Sequence, residues 1–246
     1  MTEIPESHPR AGSLRTREQI IKGVEAGLTS QQGLIAQGRG EAFDYLLGER
    51  TLPSADAAAR AGAARLLLAD QPVLSVNGNV AALAPEAVVE LAGAVEAAIE
   101  VNLFHRTEDR IERIAAHLRE HGAERVLGPG AETRLPGLDH DRALVAAEGI
   151  AAADVVLVPL EDGDRAAALA ELGKTEIVID LNPLSRSARA AAIPVVDNLV
   201  RALPTMTGHA RELGGAEEET LRGIVEAFDP EATRRAAEQA IREGEL

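Results

Sequence analysis

Six short apolar runs alternate with stretches of helical periodicity from about residue 72 onward, and this alternation limits the available folds more than any other feature of the chain. The runs cover residues 73–76, 98–102, 125–127, 154–160, 175–181 and 193–196. Helices are expected between them: one from Pro85, one over 107–121, one over 162–172, and one starting at Asp197 or Asn198. Strands separated by helices can lie side by side only as parallel neighbours, because a parallel pair needs a crossover of a dozen or more residues. The run at 154–160 is apolar throughout instead of alternating, as a strand covered on both faces would be. The expected fold class is therefore α/β, a mostly parallel sheet flanked by helices.

The flanks of this region read as helix. Residues 16–26 place Ile20, Ile21 and Val24 on one face, Ser54 is expected to cap an Ala-rich helix reaching about residue 69, and Asp229-Pro230 marks a new helical start in a tail that begins near Glu217. No flexible linker or internal repeat interrupts the chain. We expect one domain over 1–246, with a helical region of about 1–70 packed on a core of about 71–215 and a helical tail. Of the 246 residues 46% are apolar but only 2% aromatic, so Ala, Val, Leu and Ile must fill the core. The absence of Cys removes disulfides, thiolate nucleophiles and Cys-based zinc sites. There is no long uninterrupted apolar segment and no basic-then-apolar start, so the expected location is the cytoplasm, with no membrane partner.

Charge excludes a further class. Lys and Arg number 25 against 40 Asp and Glu, a formal charge of −15, and only Lys22 and Lys174 are lysines. Such a surface repels nucleic-acid phosphates and anionic lipids, so no nucleic-acid partner is expected. Its self-repulsion is relieved by molar salt, where the Debye length is about 3 Å. The composition fits a salt-rich cytoplasm such as that of a halophilic archaeon; the alternative is an ordinary acidic protein.

In open parallel sheets ligands bind beyond the carboxyl ends of the strands. Here those ends lead into 77–79, 102–106, 161–165, 180–189 and 197–198, which are rich in Asn, Asp and Arg. Two familiar phosphate loops are mimicked but absent. Gly38-Arg39-Gly40 has Phe43 where the third Gly of a dinucleotide fingerprint belongs, and Gly173-Lys174-Thr175 has Ala168 in place of the first Walker Gly. The segment 180–189 offers Ser185, Arg186, Ser187 and Arg189 as phosphate donors, with Asp180 and Asn182 suited to ribose or base; equally, it reads as a capped helix start with solvated arginines. Asn77-Gly78-Asn79 can present backbone amides to an anion or simply turn the chain. His117 and His121 look like a solvated pair, while His140, between Asp139 and Asp141, is suited to titrate near neutrality or to lie in a plain surface loop. With no Gly-x-Ser-x-Gly elbow, covalent hydrolysis has little support.

Several strings occur together in one order: Ser7-His8-Pro9-Arg10, Gly33-Leu34-Ile35-Ala36, Gly38 through Tyr45, Ser75-Val76-Asn77-Gly78-Asn79-Val80, Arg106-Thr107-Glu108-Asp109-Arg110, Val158 through Arg165, Asp180 through Arg189, and Val196-Asp197-Asn198. In this order the chain resembles the archaeal phosphopantothenate synthetase family from residue 4 to about 207. The resemblance implies a homodimer with a Rossmann-like core. It also implies an ATP-dependent ligase of coenzyme A biosynthesis that condenses (R)-4-phosphopantoate with β-alanine to 4′-phosphopantothenate, releasing AMP and diphosphate through an acyl-adenylate, with Mg²⁺. By motif match its ATP contacts fall on Arg17, Arg39, Asp180, Leu181, Asn182, Arg186, Ser187, Asn198 and Leu199. Phosphopantoate recognition is assigned to Asn77, Gly78, Asn79 and Arg106, and His140 or Asp164 is the candidate base for the β-alanine ammonium. The competing readings are a kinase of pantoate-like acids and a non-catalytic nucleotide sensor.

Overall fold

The computed structural model describes residues 4–5, 7–160 and 162–244. Three helices come first, α1 (Ala11–Glu25), α2 (Gln31–Leu47) and α3 (Pro53–Leu67), followed by β1 (Pro72–Val76), α4 (Gly78–Leu83), α5 (Pro85–Ala94), β2 (Ala98–Val101), α6 (Glu108–Glu120) and β3 (Val126–Leu127). A short hairpin, β4 (Thr133–Arg134) and β5 (Leu144–Val145), precedes β6 (Val155–Pro159), α7 (Gly163–Glu171), β7 (Thr175–Ile179), α8 (Arg186–Ala190) and β8 (Ile193–Val195). The chain closes with α9 (Leu199–Leu213), α10 (Glu218–Glu226) and α11 (Pro230–Glu243).

The six expected runs form one sheet in the order β3-β2-β1-β6-β7-β8, with every neighbouring pair parallel. Numbered within the sheet alone, this is the 3-2-1-4-5-6 order of the doubly wound Rossmann fold. The two-residue period of a strand explains how both faces are covered. Leu74 and Val76 of β1, with Val155 and Leu157 of β6, enter the core beneath α3, α5, α6 and α9. Their neighbours Val73, Val156 and Val158 enter a second core with Ile150 and Leu169 of α7. The C-terminal helix returns to the first half of the chain, where Ala237 packs with Phe43 and Leu47 of α2.

Local details depart from the sequence expectations. Ser54 caps nothing: α3 starts two residues before the helix that Ser54 would cap, at Pro53, whose fixed φ suits the first helical position. Ile21 is exposed although Ile20 is buried, because α1 packs through the face carrying Thr16, Ile20 and Gly23. The loop expected over 128–137 contains β4, which is too short to show any period. Among the described residues no helix is long and apolar enough to cross a membrane.

One backbone feature falls at the reversal of strand order between β1 and β6. Leu160, the first residue after β6, has φ of 59°, a left-handed conformation that costs a non-glycine residue about 1 kcal/mol or more. Its amide is held by the Ile179 carbonyl at 2.9 Å, so the neighbouring strand fixes the turn.

Candidate active site

The end of β1 is tied across the reversal point. The Asn77 side-chain oxygen accepts from the amides of Asn79 and Val80 at 3.0 and 3.2 Å, starting α4, while its Nδ2 donates to the Pro159 carbonyl at the end of β6 at 3.0 Å. A side chain at Gly78 would meet the Leu28 carbonyl at 2.4 Å, so only glycine lets the α1–α2 connection come this close. The Asn79 amide donates to the Gly33 carbonyl at 3.0 Å, and the Thr29 hydroxyl donates to its oxygen at 2.5 Å. These bonds lay α2 across the carboxyl edge of the sheet.

Two adjoining clefts open beneath α2. The first, about 280 Å³, lies over β1, β2 and β6 and is bordered by Asn77, Gly78, Asn79, Phe104, His105 and three arginines, Arg39, Arg110 and Arg142. The second, about 460 Å³, lies over β6 and β7, with Phe43, Leu46, Leu181 and Ile241 as its apolar wall and Asp180, Asn182, Ser185 and Ser187 as its polar wall. Arg39, Leu160 and Asp162 border both. The first cleft thus sets three guanidinium groups against one carboxylate in a protein of net charge −15. Arg39 makes no hydrogen bond or ion pair among the described residues.

The loop after β7 is braced by its own side chains. Asp180 accepts from the Asn182 amide at 3.1 Å and the Ser185 hydroxyl at 2.5 Å, and Ser185 also accepts from the Ala188 amide at 3.0 Å, capping α8. The two readings of this segment therefore coincide: it is a capped helix start and also a cleft wall.

The structure brings together Arg39, Asp180, Leu181, Asn182 and Ser187 on the second cleft, and Asn77, Gly78 and Asn79 on the first. The other assigned residues lie elsewhere. Arg17 forms a two-pronged pair with Glu41 at 2.8 and 2.6 Å on the outer side of α2, and that hydrogen bond holds the Glu41 carboxyl below its ordinary range. Arg186 pairs with Asp164 at 2.7 Å, both exposed. Asn198 is buried against Asp44 at 3.2 Å, and Leu199 lies in the core. Arg106 is turned to the Gly128 carbonyl at 2.7 Å and to Glu108 at 2.9 Å, pinning the loop after β3. His140 stacks on Phe104 with ring centroids 5.2 Å apart; its ring nitrogens are buried with no hydrogen-bond partner, and Phe104, not His140, borders the cleft.

Sequence reasoning missed Arg110, Arg142 and Ile241. Arg110 lies in one of the recognised strings, but its reach to the Leu28 carbonyl at 3.1 Å is a tertiary contact. Arg142 enters from the β4–β5 hairpin and Ile241 from α11, neither of them a strand-end segment. Asp162 lies in a strand-end segment already singled out, whereas Asp164 was chosen there; Glu161 lies outside the described residues. Among the described residues no group of three or more His, Cys, Asp or Glu side chains is placed to hold a metal.

A family model described as phosphopantothenate/pantothenate synthetase matches residues 54–244. Three similar curated proteins are each named 4-phosphopantoate--beta-alanine ligase. That of Thermococcus onnurineus is 57% identical over 93% of this chain and 88% of its own length. That of Methanosarcina mazei is 55% identical over 99% and 96%, and that of Methanospirillum hungatei 50% over 98% and 97%. With the strand order and the paired clefts already described, these matches establish that the chain belongs to the phosphopantothenate/pantothenate synthetase family.

Proposed function

We propose that the chain is an ATP-dependent ligase that joins 4-phosphopantoate to β-alanine, forming 4′-phosphopantothenate, AMP and diphosphate in coenzyme A biosynthesis. The observation that carries this reading is the group of three arginines over the strand-order reversal of an otherwise strongly acidic protein. The second cleft suits the nucleotide, with apolar side chains for the base and the 180–187 loop for ribose and phosphates. The first suits a phosphorylated carboxylate.

The chemistry needs this charge. A carboxylate oxygen of phosphopantoate attacks the α-phosphorus of ATP and diphosphate leaves with the broken bond's electron pair. The β-alanine ammonium gives one proton to solvent, its free amine attacks the acyl carbon, AMP leaves with the electron pair of the acyl–phosphate bond, and the nitrogen loses a second proton to solvent as the amide forms. Bringing two unit anions to 4 Å costs about 4 kcal/mol at an effective dielectric of 20, and ATP with phosphopantoate brings several such pairs. Fixed guanidinium groups offset that repulsion and stabilise charge developing on the transferred group. No step requires a nucleophilic side chain.

Product analysis tests the reading. ATP, phosphopantoate and β-alanine should yield AMP in proportion to phosphopantothenate; ADP would point to the kinase, and ligand binding without turnover to a sensor.

The finer parts of the reading are a homodimer, a cytoplasmic location and adaptation to salt. Exposed Leu34, Ile35 and Tyr45 along α2 support the dimer, offering an apolar surface beside the clefts. For salt, the melting temperature in molar KCl should exceed that in dilute buffer, because screening relieves repulsion among the excess acids. A melting temperature that did not move with KCl would leave the charge composition without that explanation.

A further inference from the structure

The clefts meet at an ion pair whose two members are held very differently. Arg142 is fixed: its side chain is 4% exposed, its Nε donates to the Asn102 side-chain oxygen at 3.2 Å, and the buried Asn102 amide in turn holds the carbonyls of Arg142 and Leu144 at 3.2 and 3.0 Å. One amide at the end of β2 therefore sets both the backbone and the guanidinium of this residue. Asp162 is much less constrained. Its side chain is 45% exposed, its Oδ2 accepts from Arg142 Nη1 at 2.8 Å, and it occupies the N-cap position of α7 without bonding the amides of that helix's first turn. A carboxylate at an N-cap ordinarily accepts from those amides. Asp162 thus has a second set of partners, the first amides of α7, within reach of a side-chain rotation.

We infer that the Arg142–Asp162 pair is exchanged by substrate: the carboxylate of the phosphorylated acid takes Arg142, and the displaced Asp162 carboxylate becomes the seat for the ammonium of the incoming amino acid. This rests on the ligase reading and deepens it. The exchange trades one carboxylate for another on a rigid guanidinium, so no buried charge is left alone. Arg110 remains for the phosphate of the acid, Arg39 stands on the wall shared with the nucleotide, and Asp162, bordering both clefts, stands where acid and nucleotide meet. The ammonium seat is completed only after the acid has bound, which makes binding ordered, acid before amino acid.

Two readouts on the full-length protein separate the steps. Exchange of labelled diphosphate into ATP, with phosphopantoate but no β-alanine, reports adenylation; AMP formation with β-alanine reports the whole reaction. Asp162→Asn should raise the KM for β-alanine at least about tenfold and lower the overall rate about tenfold more than it lowers exchange, the range for a lost charged hydrogen bond. Asp162→Glu should recover part of that KM. Arg142→Lys, which keeps the charge but loses the fork, should raise the KM for phosphopantoate about tenfold in the exchange assay, with its melting temperature and ATP affinity measured alongside. Equal loss of exchange and overall rate in Asp162→Asn, or an unchanged KM for β-alanine, would overturn the proposal. So would an unchanged KM for phosphopantoate in Arg142→Lys, or a higher one accompanied by lost ATP affinity. If the wild-type protein shows neither exchange nor AMP formation, it is the ligase reading that fails.

Discussion

Replacing Arg39 with alanine is expected to lower kcat/KM for ATP by about 10²- to 10³-fold while leaving the fold in place. Arg39 stands on the wall common to both clefts and has no protein partner among the described residues, so its charge is available to the reactants. Because its side chain is exposed and supports no packing, the melting temperature should move by no more than about 2 °C. Arg39→Lys should fall between the two, since an ammonium keeps the charge but loses the planar fork. Steady-state kinetics and ATP titration check this, and an ATP affinity equal to wild type in Arg39→Ala would show that the nucleotide does not reach the common wall.

Arg201→Ala should produce the largest loss of stability, about 3–5 kcal/mol. The Arg201 guanidinium donates to both Asp44 oxygens, at 3.1 and 2.7 Å, and to Asp197 at 2.6 Å; Asp197 also accepts from the Thr51 hydroxyl at 2.6 Å. Asp44 lies on α2 and Asp197 follows β8, so the network clamps the helix bearing Arg39 onto the sheet. Removing the cation strands two buried carboxylates. Burial already pushes the Asp197 carboxyl above its ordinary range despite the pull of Arg201. An acid raised in the folded state contributes stability that is fully present below its unfolded pKa and lost as pH rises through the folded one. Without Arg201 that rise is larger, so the deficit of the variant should be greatest near neutrality and shrink as pH falls below about 5. Urea unfolding of both proteins at two pH values measures it, and a deficit independent of pH would mean that stranded charge is not its cause.

Arg39 and Arg201 also show how far the sequence could be read. Arg39 was identifiable because it lies in a recognised string beside a glycine pair. Arg201 was not, because its partners are 157 and 4 residues away and only the folding of α2 onto the end of β8 brings them together. The same contrast separates Asp162 from Asp164. Both follow β6 in one polar segment, and their identities give no sign of which faces a cleft and which pairs with Arg186 outside it. Asn198 and Leu199 stand at a strand end as expected, yet the close approach of Gly40 and Asp44 covers Asn198, and Leu199 packs into the core.

Period and punctuation, which are local, were enough to determine that the chain forms six parallel strands with helices in most of the connections, that the polar edge of the sheet is its carboxyl edge, and that Asn77 and the 180–189 loop lie along it. The tertiary structure alone decided which charges converge there. Arg110 and Arg142 arrive from a helix and a hairpin at angles set by packing, Ile241 comes from the far end of the chain, and His140 is held behind Phe104. Side-chain direction at the end of a connection depends on what that connection packs against, and contacts between residues distant in sequence leave no periodic trace in it.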